Sequence, residues 1–203
     1  MAFAPFVSLR VLSSFSMLEG AIDPKAIARL AKERGFPAIA ICDRNGLYGT
    51  MPFAEACREQ GVQPVIGALL GIARDEAGKQ VDYLPLYAQD EAGWTNLCHL
   101  VSAAHLERPL ELEPHVRLED LEGRTGGLIA LTGAAEGALA RLFAEEQRDA
   151  ALEYAERLED LFPSRLYVEL ARRGDPVEEA AEDALVEFAY ASGLPLVATN
   201  PAK

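Results

Sequence analysis

No stretch of this sequence approaches the roughly 20 consecutive apolar residues that a membrane-spanning helix needs. Nothing near Met1 joins a basic start to an apolar core in the manner of a secretory leader. A cytoplasmic chain is therefore expected. Cysteine is scarce: Cys42, Cys57 and Cys98 are odd in number and contain no C-x-x-C pair, which argues against a disulfide framework or a zinc ribbon and predicts buried, reduced thiols. Positive charge is scarce as well. Nineteen Lys and Arg stand against 32 Asp and Glu, a formal charge of −13 that repels a polyanion unless a basic face is set apart. No such face is visible, and the one adjacent basic pair, Arg172-Arg173, lies in a turn-like stretch ending Gly174-Asp175-Pro176. Direct nucleic-acid binding is not expected; an acidic surface meets solvent or a protein partner. The glycines of 123–127 are not a phosphate-binding loop, because no Gly-Lys-Ser/Thr follows them.

What the sequence does have is apolar content: 50% of 203 residues, ample for the core of one domain spanning 1–203. An apolar, partly alternating run at 6–12 leads through a serine-rich turn to Asp23-Pro24, a helix cap followed by proline at the first helical position. Ile27, Leu30 and Ala31 share one face of that helix, and Gly35 stands where a glycine ends it. The wholly apolar run 37–42 then reads as a strand buried on both faces. Further helices are expected at 52–60, 91–106, 136–145, 149–162 and 176–192. Strands are expected at 64–72, 83–88, 128–131, 166–170 and 196–199, with a polar turn at 75–79. The alternation predicts a mainly parallel α/β sheet or barrel, interrupted by a proline-bounded loop at 108–114.

In parallel α/β folds chemistry gathers at the carboxyl ends of the strands, and there the residues take on a family likeness. Phe6-Val-Ser-Leu-Arg-Val-Leu-Ser13 and Phe15-Ser-Met-Leu-Glu-Gly20 come first. Pro37-Ala-Ile-Ala-Ile-Cys-Asp43, Gln63-Pro-Val-Ile-Gly67, Asn96-Leu97 with Leu100-Val-Ser102, Gly127-Leu-Ile-Ala-Leu-Thr-Gly133 and Val197-Ala-Thr-Asn200 follow in order. Together they resemble the PHP (polymerase and histidinol phosphatase) domain at the N-terminus of bacterial replicative DNA polymerase III alpha subunits. The resemblance implies a distorted (β/α)7 barrel, truncated at its C-terminal end because the family's domain continues past Thr199-Asn200. Such truncation would expose an edge, with dimerisation as one response.

Active members of that family hold metal ions through His, Asp, Glu and Cys at the strand ends, activating water against a phosphoester. Mapped onto this sequence, the ligand positions read Ser8, Arg10 and Leu12 in the opening motif, then Glu19, Arg44 and Leu69. Ala103, Ala134, Pro201 and Lys203 complete them. Only Glu19 keeps a carboxylate. The resemblance therefore implies a vestigial metal site with no metal, no cofactor in this fragment and no catalytic residue, Mg belonging to the parent polymerase. Arg10 and Arg44 would fill the vacated pocket, pairing with Glu19 or Asp43. The candidate polar pocket is Glu19, Asp43 and Arg44, although Asp43 reads first as a cap for the turn through Asn45-Gly46. His99 and His105 are six apart and share no helix face, His115 reads as a solvated loop side chain, and Trp94 as a packing anchor.

Two functions compete. The first is a non-catalytic scaffold within the polymerase alpha subunit, whose family docks the polymerase thumb and, in some bacteria, the proofreading exonuclease. The second is a metal-dependent 3′–5′ exonuclease or phosphoesterase with a reduced ligand set around Glu19, Asp43 and a histidine. The error-prone polymerase branch is a further alternative, though Leu18-Glu-Gly-Ala-Ile22 and Gly67-Ala-Leu-Leu70 are closer to the replicative one.

Overall fold

The computed structural model describes residues 6–75 and 77–203. In chain order the elements are α1 (Pro24–Glu33), β1 (Ala38–Arg44), α2 (Thr50–Gln60), β2 (Gln63–Ala73), β3 (Val81–Ala88) and α3 (Glu91–Leu106). They continue with β4 (Leu128–Leu131), α4 (Ala138–Ala144), α5 (Arg148–Leu161), β5 (Leu166–Leu170), α6 (Pro176–Ser192) and β6 (Leu196–Ala198). Local chemistry sets the boundaries. The Asp23 and Asp175 side chains accept from the backbone N–H of Lys25 and Val177, each ahead of a proline that opens its helix, and the Asp90 side chain accepts from Gly93 N. The expected helix at 136–145 is a 3₁₀ turn, Ala134–Glu136, followed by α4. Gly137 separates the two with an extended backbone so close to Thr132 that a β-carbon there would lie 1.8 Å from its carbonyl oxygen.

The six strands lie side by side in sequence order. β1–β2, β4–β5 and β5–β6 run parallel, while β3 runs against both of its neighbours. The polar turn after β2 is the reason: it is too short for a crossover, so β3 returns as a hairpin. The Asp75 carboxylate accepts from Lys79 N and Gln80 N and holds that turn closed.

Alternate residues of β1 face two cores. Ile39 and Ile41 pack with Ile27, Phe53 and Cys57 beneath α1 and α2. Ala40 and Cys42 point inward to Leu69, Tyr83, Tyr87 and Leu131. Tyr167 of β5 and Val197 of β6 join the same inner cluster, so the sheet must curl to bring its two ends together. Outside, Leu84, Leu86 and Leu128 pack against Leu97 and Leu100 of α3. Burying each such aliphatic side chain stabilises by about 1.5–3 kcal/mol.

The opening segment lies at the seam of this partial barrel. Ala40 N and Cys42 N donate to Ser8 O and Val11 O, both at 2.9 Å, while Leu12 N and Ala202 N donate to Ala202 O and Arg10 O at 2.9 and 2.8 Å. Residues 8–12 thus link β1 to the segment that follows β6 through isolated bridges, Ser8 to Ile39 and Val11 to Ala202, instead of forming one continuous strand.

Two side-chain expectations, for His115 and Cys98, are corrected. His115 is 2% exposed, not solvated. β1 pairs with β2 only as far as Leu69, which leaves the far half of that edge open, and Val116 fills it by bonding Gly71 O and Ala73 N at 2.9 Å each. That pairing draws His115 inward. Cys98 is half-buried where Cys42 and Cys57 are buried, and Trp94 is 37% exposed on α3.

Candidate functional site at the strand ends

The carboxyl ends of the strands and the opening segment converge on a chain of charges. Arg10 is 1% exposed. Its Nη1 donates to both Glu169 carboxylate oxygens at 3.0 Å, and its Nη2 donates to Glu136 at 2.5 Å. Glu169, wholly buried in β5, also accepts from Gly133 N at 3.1 Å and Thr199 Oγ1 at 2.6 Å. Glu136 reaches past Arg10 to Arg44 Nη2 at 2.7 Å. Arg44 in turn forks onto Glu19, Nε to Oε1 at 2.5 Å and Nη2 to Oε2 at 2.7 Å, with Lys203 Nζ 3.2 Å from the same carboxylate. The Arg44 guanidinium also lies over the Tyr83 ring, 4.0 Å from its centre. Three carboxylates and three cations therefore form one continuous string from β5 to the serine turn.

These contacts set the protonation states. Burial raises the Glu136 carboxyl, but the guanidiniums of Arg44 and Arg10 outweigh it and hold the group below the ordinary carboxylate range. Glu19 is lowered chiefly by its hydrogen bonds from Arg44, against the opposing effect of burial. Burial alone would lower Arg10, yet Glu169 and Glu136 among its neighbours leave it above its usual value. Arg44 is likewise raised: Glu19 and Glu136 overcome its desolvation. Burial pushes the Cys42 thiol up to about 12, so this cysteine stays protonated.

Asp43 belongs to a neighbouring but separate arrangement. Instead of capping the turn through Asn45-Gly46, its carboxylate holds the serine turn, accepting from Ser13 N at 2.6 Å, Ser13 Oγ at 2.7 Å and Ser16 Oγ at 2.8 Å. Ser16 Oγ also accepts from Arg44 N at 3.1 Å, which ties the turn to the end of β1. Asn45 serves the open edge of β2: its Oδ1 accepts from Gly71 N at 2.7 Å, and its Nδ2 donates to Pro114 O at 2.8 Å.

Of the positions singled out from sequence, the fold brings Arg10, Glu19, Arg44 and Lys203 into one network. Arg44 pairs with Glu19, whereas Arg10 turns to Glu169 and Glu136. Leu12, Leu69 and Ala134 are buried apolar side chains, Ser8 is buried beside β1, and Ala103 and Pro201 are half-buried. His99 is exposed, and His105 Nε2 lies 2.7 Å from Asn45 O. Glu136 and Glu169 are the members of the network that sequence reasoning missed. A charge inside the apolar strand 166–170 was the available signal for Glu169; Glu136 carried none. Among the described residues no three His, Cys, Asp or Glu side chains are grouped so that they could hold a metal ion.

A curled six-stranded α/β half-barrel with its polar cluster at the strand ends defines the class, and the sequence fits it: the PHP domain family matches residues 8–173, and the chain belongs to that family. It is similar to the DNA polymerase III subunit alpha of Caulobacter vibrioides, at 38% identity over 200 residues covering 96% of this chain and 18% of the relative. The DNA polymerase III subunit alpha of Escherichia coli is 34% identical over 195 residues, covering 96% of this chain and 17% of that one. The chain thus spans less than a fifth of the curated relatives it matches. Among solved structures it resembles a putative metal-dependent phosphoesterase from Bifidobacterium adolescentis, with TM-score 0.63 and 16% identity over 97% of this chain and 87% of the other. An amidohydrolase from Chromobacterium violaceum follows, with TM-score 0.57 and 13% identity over the same shares. Likeness at these identities speaks to the fold. No helix among the described residues is long and apolar enough to cross a membrane.

Proposed function

We propose that this chain is the N-terminal PHP domain, residues 1–203, of a cytoplasmic bacterial replicative DNA polymerase alpha subunit. There it serves as a non-catalytic brace with no metal of its own. The observation that carries the reading is the occupancy of the strand-end pocket by guanidinium. A metal cluster needs converging lone pairs, and here the lone pairs of Glu19, Glu136 and Glu169 are spent on Arg10 and Arg44. Two fixed cations beside those carboxylates would also repel a divalent ion. The donor set does not fit the family's metal chemistry and supports no hydrolytic step. The relatives' identity supports the polymerase assignment, and the Mg of nucleotide addition belongs to the rest of that longer protein. The partners that follow are the thumb of the same subunit and a proofreading exonuclease.

The test is elemental analysis of never-chelated protein, run beside a single-stranded DNA exonuclease assay with added Mn²⁺ or Zn²⁺. The expected result is neither stoichiometric metal nor 3′–5′ activity. Bound metal with an activity lost on Asp43→Ala would instead establish a reduced-ligand nuclease or phosphoesterase.

A further inference from the structure

Away from the strand-end string, a second cleft opens between α4, α5, the β2–β3 hairpin and the 3₁₀ turn Leu118–Leu121. Its volume is about 490 Å³, in the range of small-molecule sites, and it shares no lining residue with the Arg10–Arg44 network. Arg74 follows β2, Arg117 precedes the 3₁₀ turn and Arg157 lies on α5, so only folding gathers these three guanidiniums. Ile72, Leu118 and Leu142 supply an apolar wall beside them. Of the lining carboxylates, Asp82 is buried, Asp75 is spent on the hairpin turn, and Glu119 and Glu153 are exposed, where water and salt screen them.

Depth sets the charge balance. In the strand-end string three carboxylates face three cations, whereas here one buried carboxylate serves two guanidiniums. Asp82, 2% exposed, accepts from Arg74 Nε at 2.8 Å and Nη2 at 3.0 Å, and from Arg141 Nη1 at 2.7 Å. Asp82 therefore fixes one edge of the Arg74 fork and leaves Nη1 with only the exposed Glu145, at 3.2 and 3.5 Å. Arg157 holds the exposed Glu119 through a single Nη2 bond of 2.7 Å. Exposed pairs of this kind are worth about 1 kcal/mol or less and yield readily to a competitor. Within electrostatic reach of both guanidiniums stands the half-buried Tyr154, whose hydroxyl is hydrogen-bonded to no described residue. Burial, with Asp82 adding to it, pushes this phenol well above its ordinary value, so the hydroxyl stays protonated and can donate.

We infer that this cleft binds a small oxyanion, a phosphate or carboxylate group carried on an apolar body. Arg74 Nη1, Arg157 and the Tyr154 hydroxyl donate to its oxygens, and the body lies on the wall of Leu118 and Leu142. Each guanidinium gives up only a screened surface pair to take the ligand. Asp82 is a positioning residue: it holds Arg74 in place without competing for Nη1. The chain's charge of −13 opposes an anion at long range, but at physiological ionic strength that field is screened over about 8 Å, and contact donors decide. The inference does not depend on the metal question, because no residue of the strand-end string takes part.

Phenyl phosphate, benzoate and benzylamine carry one ring with a phosphate, a carboxylate and a cation, and each is titrated into the full chain at neutral pH and physiological salt while amide shifts are followed. Saturable shifts centred on residues 73–75, 117–119 and 153–157 are expected from at least one of the two anions, and the ratio of their affinities shows which oxyanion the cleft prefers. Benzylamine should bind at least about tenfold more weakly. Arg157→Gln should weaken the anion by about tenfold or more, and Tyr154→Phe, which keeps the ring, by about threefold or more. Arg29→Gln removes an exposed guanidinium from α1 and should change nothing. Should Arg157→Gln lose its cooperative melt, Tyr154→Phe carries the comparison. Absence of saturable shifts, shifts centred on Arg10, Glu19 and Arg44, equal binding of benzylamine, or folded variants that bind as tightly as the unsubstituted chain would each overturn the site.

Discussion

Taking a guanidinium from water to 1% exposure costs several kcal/mol before any partner is counted, and Arg10 meets that cost through two carboxylates. Its Nε has no partner among the described residues, so the compensation rests on the two terminal nitrogens. Arg10→Met keeps most of the volume but leaves Glu169 charged and buried. Urea denaturation should then show a loss of about 3–5 kcal/mol. Glu169→Gln in that background should restore part of the loss, because an amide tolerates burial better than an unpaired carboxylate. Additive losses from the two substitutions would show the pair to be uncoupled. Asp43 makes the same argument with neutral donors. Asp43→Ala frees Ser13 N and two hydroxyls at a buried position, a cost of about 1–3 kcal/mol. Amide exchange should accelerate at Ser13 and Gly20 while α3 keeps its protection.

At the scale of elements, the open half of the β2 edge shows how a side chain can complete a sheet. Asn45 supplies an acceptor to Gly71 N where β1 has ended, and its amide carries the proline-bounded loop through Pro114 O. Asn45→Ala removes both bonds, with an expected loss of about 1–3 kcal/mol and faster amide exchange at Gly71 and Val116. Asn45→Asp should recover the first bond only. The helices and strands themselves were legible because their punctuation is local: Asp23-Pro24, Asp175-Pro176 and Gly61 mark ends by backbone chemistry that needs no tertiary context. The reversal of β3 was less visible, since an apolar strand reads alike in either direction and only the shortness of the turn betrays it. Neither the burial of His115 nor the role of Glu136 could be read, because each depends on a neighbour dozens of residues away: Val116 on Gly71, and Glu136 on Arg10 and Arg44. The positions of Arg10, Glu19 and Arg44 came from resemblance, and so did the pairing of Arg44 with Glu19, whereas the Glu136 and Glu169 partners of Arg10 came only from the fold.

For the whole molecule, pH sets two opposing effects in motion. At neutral pH the −13 charge repels itself, and acidification toward the isoelectric point of about 4.7 relieves that repulsion and stabilises. The carboxylates of the string act in the other sense. Glu19 and Glu136 titrate below their ordinary 4.5 in the folded chain, so the unfolded chain takes up those protons first. Their contribution is complete above the unfolded value and drains as pH falls through the lowered folded values, leaving Arg10 and Arg44 short of partners. Calorimetry should therefore find Tm rising gently from pH 7 to a maximum at about pH 5 and falling steeply below it. Added NaCl should raise Tm at pH 7, where long-range repulsion is screened, and leave the buried pair little changed. Glu136→Gln separates the two effects: lower stability at pH 7, where its ion pairs are lost, but a shallower acid limb, because one titrating carboxylate is gone. An acid limb of unchanged slope in that variant would place the acid sensitivity outside the strand-end network.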